Sequence, residues 1–278
     1  MTENGYEIKE GILDLSGLNI DRIENKRFLG AKAVREVIFP AGIEYIGDWA
    51  FAKCSNLEKV TFPQKHVHGL FGKDVFKGCD NLSEIRFLGT DDVTSYLLAL
   101  CTNRLYCDHL VRADDVGKKS WFEKWDISLV SLLKSDDEKN AIAAALCGEE
   151  DISYDGIGSV DGELPGQTPD YVSKMANEKC TLCYIRLEYD RYLSDGTRET
   201  IEDHILKNSL GNCGGHSFYS IFEMCDGNLS YLSRYLDIVR PDRDGIRQMI
   251  SALSPRDVYA MSYLLERSNR LAGDDLML

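Results

Sequence analysis

Residues 43–63 read Ile43-Glu44-Tyr45-Ile46-Gly47-Asp48-Trp49-Ala50-Phe51-Ala52-Lys53-Cys54-Ser55-Asn56-Leu57-Glu58-Lys59-Val60-Thr61-Phe62-Pro63, and they form one unit of a repeat. Set against its neighbours, this unit brings Val34, Leu57 and Leu82 into one column. Val37, Val60 and Ile85 form a second column, Phe39, Phe62 and Phe87 a third, and Phe28, Phe51 and Phe76 a fourth. The first step is 23 residues and the second is 25. A period of this size signals a solenoid, in which each unit buries its apolar face against the next. The runs Val37-Ile38-Phe39 and Val60-Thr61-Phe62 alternate inward and outward as strands do. Pro40 and Pro63 end them, because proline cannot continue a ladder. Ile12-Leu13-Asp14-Leu15 reads as a degenerate first turn that caps the start. Cys54 and Cys79 fit as small apolar filler of the stack.

These residues resemble the leucine-rich repeat of the bacterial cell-surface BspA type. The match runs through Ile46, Gly47, Ala50, Phe51, Cys54, Leu57, Val60, Phe62 and Pro63. It resumes in the next unit at Phe76, Gly78, Cys79, Leu82, Ile85 and Phe87. That unit departs at Leu70-Phe71-Gly72, where two residues are inserted and the Ile-Gly pair is blurred. The unit that precedes Ile43, over residues 23–40, lacks the cysteine. The resemblance covers about residues 10–90 and implies an adhesion or protein-recognition surface. Three turns are near the minimum for such a stack, so the segment after Phe87 is expected to dock on its open end as a cap.

The 278 residues carry a net charge of −14, and the charge is unevenly placed. Residues 1–90 hold 12 Lys/Arg and 13 Asp/Glu, a net of −1, which leaves 20 basic and 33 acidic residues, a net of −13, for residues 91–278. The break lies near Gly89-Thr90-Asp91-Asp92 and sets the expected domains: a repeat module over 1–90 and an acidic helical domain over 91–278. The fold class read from this is α+β, a short leucine-rich repeat solenoid followed by a mostly α-helical bundle or α-solenoid. The acidic excess disfavours nucleic acid as a partner. The longest apolar run, Ala141 to Cys147, is too short to span a membrane. The first twenty residues have no apolar stretch of signal-peptide type, so a cytoplasmic protein with reduced thiols is expected, and the resemblance implies a bacterial one.

Helical spacing of apolar residues marks Val93 to Leu105, Ile127 to Leu133, Glu138 to Cys147, Thr200 to Leu210, Ser217 to Cys225, Leu229 to Val239, Asp244 to Leu253 and Pro255 to Ser268. Asp170 to Leu193 reads as a long helix, with a strand left open over Cys180 to Tyr189. Asp242, Asp244 and Ser254 have the character of N-caps, and Pro255 suits a first helical turn. Between the helices, residues 148–168 are rich in glycine and acid and carry no Lys or Arg. Their acids do not follow the order of a calcium loop, so a solvated segment or a docking strip for a basic partner is expected.

Two candidate sites emerge. Glu36, Ile38, Lys59, Thr61, Glu84 and Arg86 occupy outward strand positions and would form a partner-binding face; a solvated face of compensating charges is the favoured other reading, since no aromatic anchor stands among them. Cys180, Cys183, Cys213 and His216 form two pairs with two residues between ligands, a donor set suited to structural zinc; buried thiols and a helix-start histidine are the other reading. His66 and His68 are a weaker ligand pair. Cys213 with His216 or His204, and Cys107 with His109, are nucleophile–base pairings. The sequence lacks G-x-S-x-G, H-E-x-x-H, phosphate-loop and dinucleotide fingerprints. The expected function is non-catalytic protein recognition or scaffolding, through the repeat face and an acidic helical surface that selects a basic protein partner. No cofactor is expected unless the cysteine–histidine set binds zinc. The alternatives are a zinc-dependent or cysteine-based enzyme in the helical domain, and a structural subunit of a larger assembly.

Overall fold

The aligned columns become a parallel sheet. In the computed structural model, which describes residues 2–3, 5–65, 70–136, 168–255 and 257–274, an antiparallel hairpin, β1 (Thr2–Glu3) and β2 (Tyr6–Glu7), precedes the repeats. The strands β3 (Ile12–Asp14) and β4 (Arg22–Ile23) make the first turn. They are followed by β5 (Glu36–Ile38) and β6 (Tyr45–Ile46), β7 (Lys59–Thr61) and β8 (Leu70–Phe71), and lastly β9 (Glu84–Arg86). One four-stranded sheet runs β3-β5-β7-β9, and a second, three-stranded sheet runs β4-β6-β8. All their pairings are parallel, in a register that stacks Leu13, Val37, Val60 and Ile85. The degenerate first turn thus pairs as a full member of the stack.

Two phenylalanine files run along the solenoid axis. Phe28, Phe51 and Phe76 stack with centroids 5.0 and 5.9 Å apart, and Phe39, Phe62 and Phe87 at 4.6 and 4.9 Å. All six rings are fully buried. Cys54 and Cys79 fill the gaps, and their thiols donate to the Phe28 and Phe51 carbonyls at 3.0 and 3.1 Å. Asn56 and Asn81 cross one turn in the same way, each donating to a carbonyl of the preceding unit at 2.8 Å.

Close spacing between turns explains the Ile-Gly pair. A Cβ on Gly47 would lie 2.4 Å from the Asn25 nitrogen, and one on Gly72 would lie 2.4 Å from the Asp48 nitrogen. Gly72 donates to the Ile46 carbonyl at 2.7 Å, as Gly47 does to Ile23 at 2.8 Å. Phe71-Gly72 therefore takes the place of Ile46-Gly47, and the two extra residues fall between Pro63 and Leu70.

The chain divides into two compact units, Met1–Leu129 with Arg191–Leu193, and Val130–Asp190 with Ser194–Leu278. The first extends beyond the compositional break at residue 90, because the helix that follows the repeats belongs to their core. This helix, α1 (Asp92–Asn103), packs on β9, as expected of a cap. Asp91 caps it by accepting from the Thr94 amide at 2.8 Å, and Leu97, Leu98 and Cys101 are fully buried. Asn103 donates to the Leu82 carbonyl at 2.9 Å, meeting a group that the open end would leave unpaired. A 3₁₀ turn (Asp108–Leu110) leads to α2 (Lys119–Leu133). Trp121 and Trp125 are fully buried, and their indoles donate to Leu110 and Leu97 carbonyls at 2.9 and 3.3 Å.

The second unit is built on α3 (Thr168–Glu188), α4 (Asp195–Lys207), α5 (His216–Glu223), α6 (Leu229–Val239), α7 (Arg243–Ala252) and α8 (Val258–Asp274). The segment Cys180 to Tyr189, left open as a strand, is helical up to Glu188. Every residue from Asn177 to Leu187 is buried, so this helix has no polar stripe to mark its period. Buried charges on it find partners: Lys179 donates to the Ser135 carbonyl at 2.9 Å and Arg186 to that of Tyr189. Asp242 caps α7 by accepting from Gly245 at 2.7 Å. Asp244 is a first-turn residue, and Pro255 precedes α8 without entering it. The helix expected over 138–147, the acidic segment up to residue 167, and His66 and His68 lie outside the described residues.

Candidate functional site

The four-stranded sheet brings all six predicted face residues together. Glu36, Lys59 and Glu84 share one row, and Ile38, Thr61 and Arg86 share the next. The Lys59 ammonium lies 4.0 Å from Glu36 and 3.6 Å from Glu84. Arg86 pairs with Glu84 and, at 2.6 Å, with Asp92. Charges therefore alternate along the ladder and satisfy one another. Pairs this exposed contribute about 0–1 kcal/mol each, so the ladder keeps this face charged and solvated and adds little stability. Thr61 Oγ1 is enclosed and makes no hydrogen bond among the described residues.

A second face, beside β4, β6 and β8, carries aromatic groups that the strand-centred reading did not single out. The Arg22 guanidinium sits 5.3 Å from the Tyr45 ring centre, and the Lys26 ammonium 4.7 Å from that of Trp49. The Trp49 indole donates to Asp74 at 3.2 Å, and Tyr45 donates to Asn25 at 3.4 Å. Lys26, Trp49 and Asp74 occupy the same corner of successive turns, each with a left-handed backbone at φ 57°, 54° and 53°. This conformation is uncommon for a bulky residue. The corner holds Trp49 half-buried between a cation and a carboxylate. The repeat period carried the signal for this cluster, since it aligns residue 22 with 45 and residue 26 with 49.

The cysteine–histidine set is not gathered into one site. Cys180 and Cys183 are fully buried in α3. Burial pushes the Cys180 thiol up to about 12 against the opposing charge of Lys179, and burial also raises Cys183. Both side chains are packed inside the helical unit. Cys213 is exposed, in the 3₁₀ turn Cys213–Gly215, and His216 opens α5. His216 Nδ1 lies 2.9 Å from Asn177 Oδ1, and Asn177 Nδ2 donates to Glu223 at 2.5 Å. This fixes the ring: because the amide N–H₂ of Asn177 is given to Glu223, its oxygen accepts from Nδ1–H. Among the described residues, no three His, Cys, Asp or Glu side chains are placed to hold a metal ion. The Cys107 thiol is raised, chiefly by burial, and donates to the Leu105 carbonyl at 3.1 Å, while His109 is exposed. No helix among the described residues is long and apolar enough to cross a membrane.

Residues 13–106 match the family model of the BspA type leucine rich repeat region, in six copies. The match spans β3 through α1, and the helical remainder lies outside it. No curated protein and no solved structure matches the chain. Residues 13–106 are thus a repeat region of this type, and leucine-rich repeats generally mediate protein–protein interaction.

Proposed function

We propose that this protein is a non-catalytic recognition protein whose repeat region binds a protein partner. The observation that carries the reading is the half-exposed pair Tyr45 and Trp49, held on one solenoid face under the cations of Arg22 and Lys26. Tyrosine, tryptophan and arginine are the residues on which binding energy concentrates. Held on a stacked scaffold, such groups lose little freedom on binding. The neighbouring strand face, from Glu36 and Ile38 through Lys59 and Thr61 to Glu84 and Arg86, contributes polar complementarity and register. Residues 91–278, with their net charge of −13, favour a partner with a basic surface and speed its approach.

Affinity capture with the immobilised full chain, from cells that naturally make it, tests this reading. One recurrent protein of basic surface is expected, with an association rate that falls as salt rises. Recovery of no recurrent protein, together with turnover in a broad substrate screen, would instead support a cysteine-based enzyme in the helical unit.

A further inference from the structure

The helical unit contains a cleft whose charge opposes that of its surroundings. It has a volume of about 610 Å³ and is lined by Leu236, Asp237, Arg240, Pro241, Ile246, Arg267 and Arg270. Its residues come from the end of α6, the turn after it, α7 and α8. Helix α6 stops at Arg240, whose backbone is left-handed at φ 49° and whose amide donates to Leu236 at 2.9 Å. Arg267 and Arg270 are three residues apart on α8 and so share one face. Leu236 and Ile246 are almost completely buried and form an apolar floor with Pro241.

The three guanidinium groups are not equally occupied. Arg267 meets Asp237 at 3.3 Å, a long contact to a carboxylate that is 64% exposed. Arg270 pairs along its own helix with Glu266 at 2.5 Å. Among the described residues, Arg240 makes only one polar side-chain contact, through Nε to the Asp237 carbonyl at 3.3 Å. Its two terminal nitrogens are left for another acceptor. Three cations and one carboxylate line the cleft, with Glu266 on Arg270 outside the lining, which leaves a positive excess within residues whose overall balance is −13. The arginine groups of Arg234 to Arg247, which alternate with acids in sequence, are thus sorted by the fold: Arg247 is paired with Asp244 at 2.8 Å, and Arg240 is turned to the cleft.

We infer that this cleft binds a phosphate monoester carried on an apolar or aromatic body. A phosphate monoester bears about two negative charges near neutral pH and offers three strong acceptors, which matches the charge excess and the guanidinium forks. The cleft volume falls within the range of about 300–1,000 Å³ typical of small-ligand sites, so it has room for more than the bare anion. The apolar floor gives the ester's organic part a surface to cover. A phosphorylated protein side chain and a small phosphorylated molecule share this chemistry.

Calorimetric titration of the full chain with phenyl phosphate, a short neutral phosphotyrosine peptide, its unphosphorylated form and inorganic phosphate tests the assignment. Saturable binding of phenyl phosphate or the phosphopeptide is expected, weakened about tenfold in Arg240→Gln and in Arg270→Gln. Arg240→Lys, which keeps the charge and loses the fork, is expected to recover only part of that loss. Among the described residues Arg240 carries no ion pair, so Arg240→Gln should melt as the parent does. A phosphopeptide that binds more tightly than phenyl phosphate identifies a protein ligand, and the reverse order identifies a small molecule; both support the assignment. It is overturned if neither ester binds saturably, if inorganic phosphate binds as tightly as phenyl phosphate, or if the arginine variants bind unchanged.

Discussion

The indole N–H of Trp49 donates to the carboxylate of Asp74, 3.2 Å away and one solenoid turn further on. This bond ties a half-exposed aromatic residue to the next turn and fixes the face that its ring presents. Trp49→Phe keeps an aromatic face but removes the donor. It should lower unfolding free energy by about 1 kcal/mol, the usual contribution of one such hydrogen bond. Urea denaturation reads this directly, and an unchanged midpoint would show that the bond does not hold the corner.

Asp74 also acts on Asp108. Burial is the main cause, with the negative charge of Asp74 adding to it and Arg112 opposing, and together they push the Asp108 carboxyl up to about 6 from its ordinary 3.8. The folded chain therefore holds this proton more tightly than the unfolded chain. The stability tied to it is complete below the ordinary value and is lost as pH rises toward 6. Asp108→Asn should raise stability at pH 8 by about 1 kcal/mol, discounted for the group's partial exposure, and change little at pH 4. Denaturation curves at the two pH values settle the matter; equal effects at both would remove the pH-linked account.

Glycine at position 47 is demanded by contact between turns. Gly47→Ala would place a methyl group 2.4 Å from the Asn25 backbone, which cannot yield without separating two turns. A loss of about 2–4 kcal/mol is expected, as for other overpacked positions. Gly17→Ala meets nothing within 4 Å and serves as the control. Thermal melting of the two variants should differ by many degrees, and parallel behaviour would contradict the close stacking.

Thiol labelling separates packing from reactive cysteines. Cys213 is exposed, whereas Cys54, Cys79, Cys101, Cys180 and Cys183 are buried. In the folded chain, an aromatic disulfide reagent should label Cys213 at least about tenfold faster than Cys180 or Cys183, because Cys213 is accessible while burial encloses the other two thiols and raises them. Mass spectrometry of digested samples reads each site. Comparable rates would show that α3 opens far more readily than its burial implies.

The solenoid was legible in sequence because its columns are strict: Val37, Val60 and Ile85 recur in the place where the sheet needs an inward residue. The sheet formed by β4, β6 and β8 was not legible, since strands of two residues such as Tyr45–Ile46 give alternation nothing to act on. The Tyr45 and Trp49 cluster is hard to read for the same reason: its residues stand in what reads as loop. Helix α2 begins well before the expected Ile127 because Trp121, Phe122 and Trp125 anchor its first half. The C-x-x-C spacing of Cys180 and Cys183 is shared by metal sites and by one face of a helix, and spacing alone does not separate the two. Only their enclosure in α3 favours packing.

The Tyr45 and Trp49 face is the part of the repeat region proposed to meet a protein partner. The most direct measurement is quantitative affinity capture with the parent chain and with the double variant Tyr45→Ala/Lys26→Glu, both checked for native melting. Recovery of the partner should fall by about tenfold or more in the variant, as expected when central aromatic and cationic contacts are lost. Undiminished recovery by a natively folded variant would contradict the claim and move the binding surface elsewhere on the chain.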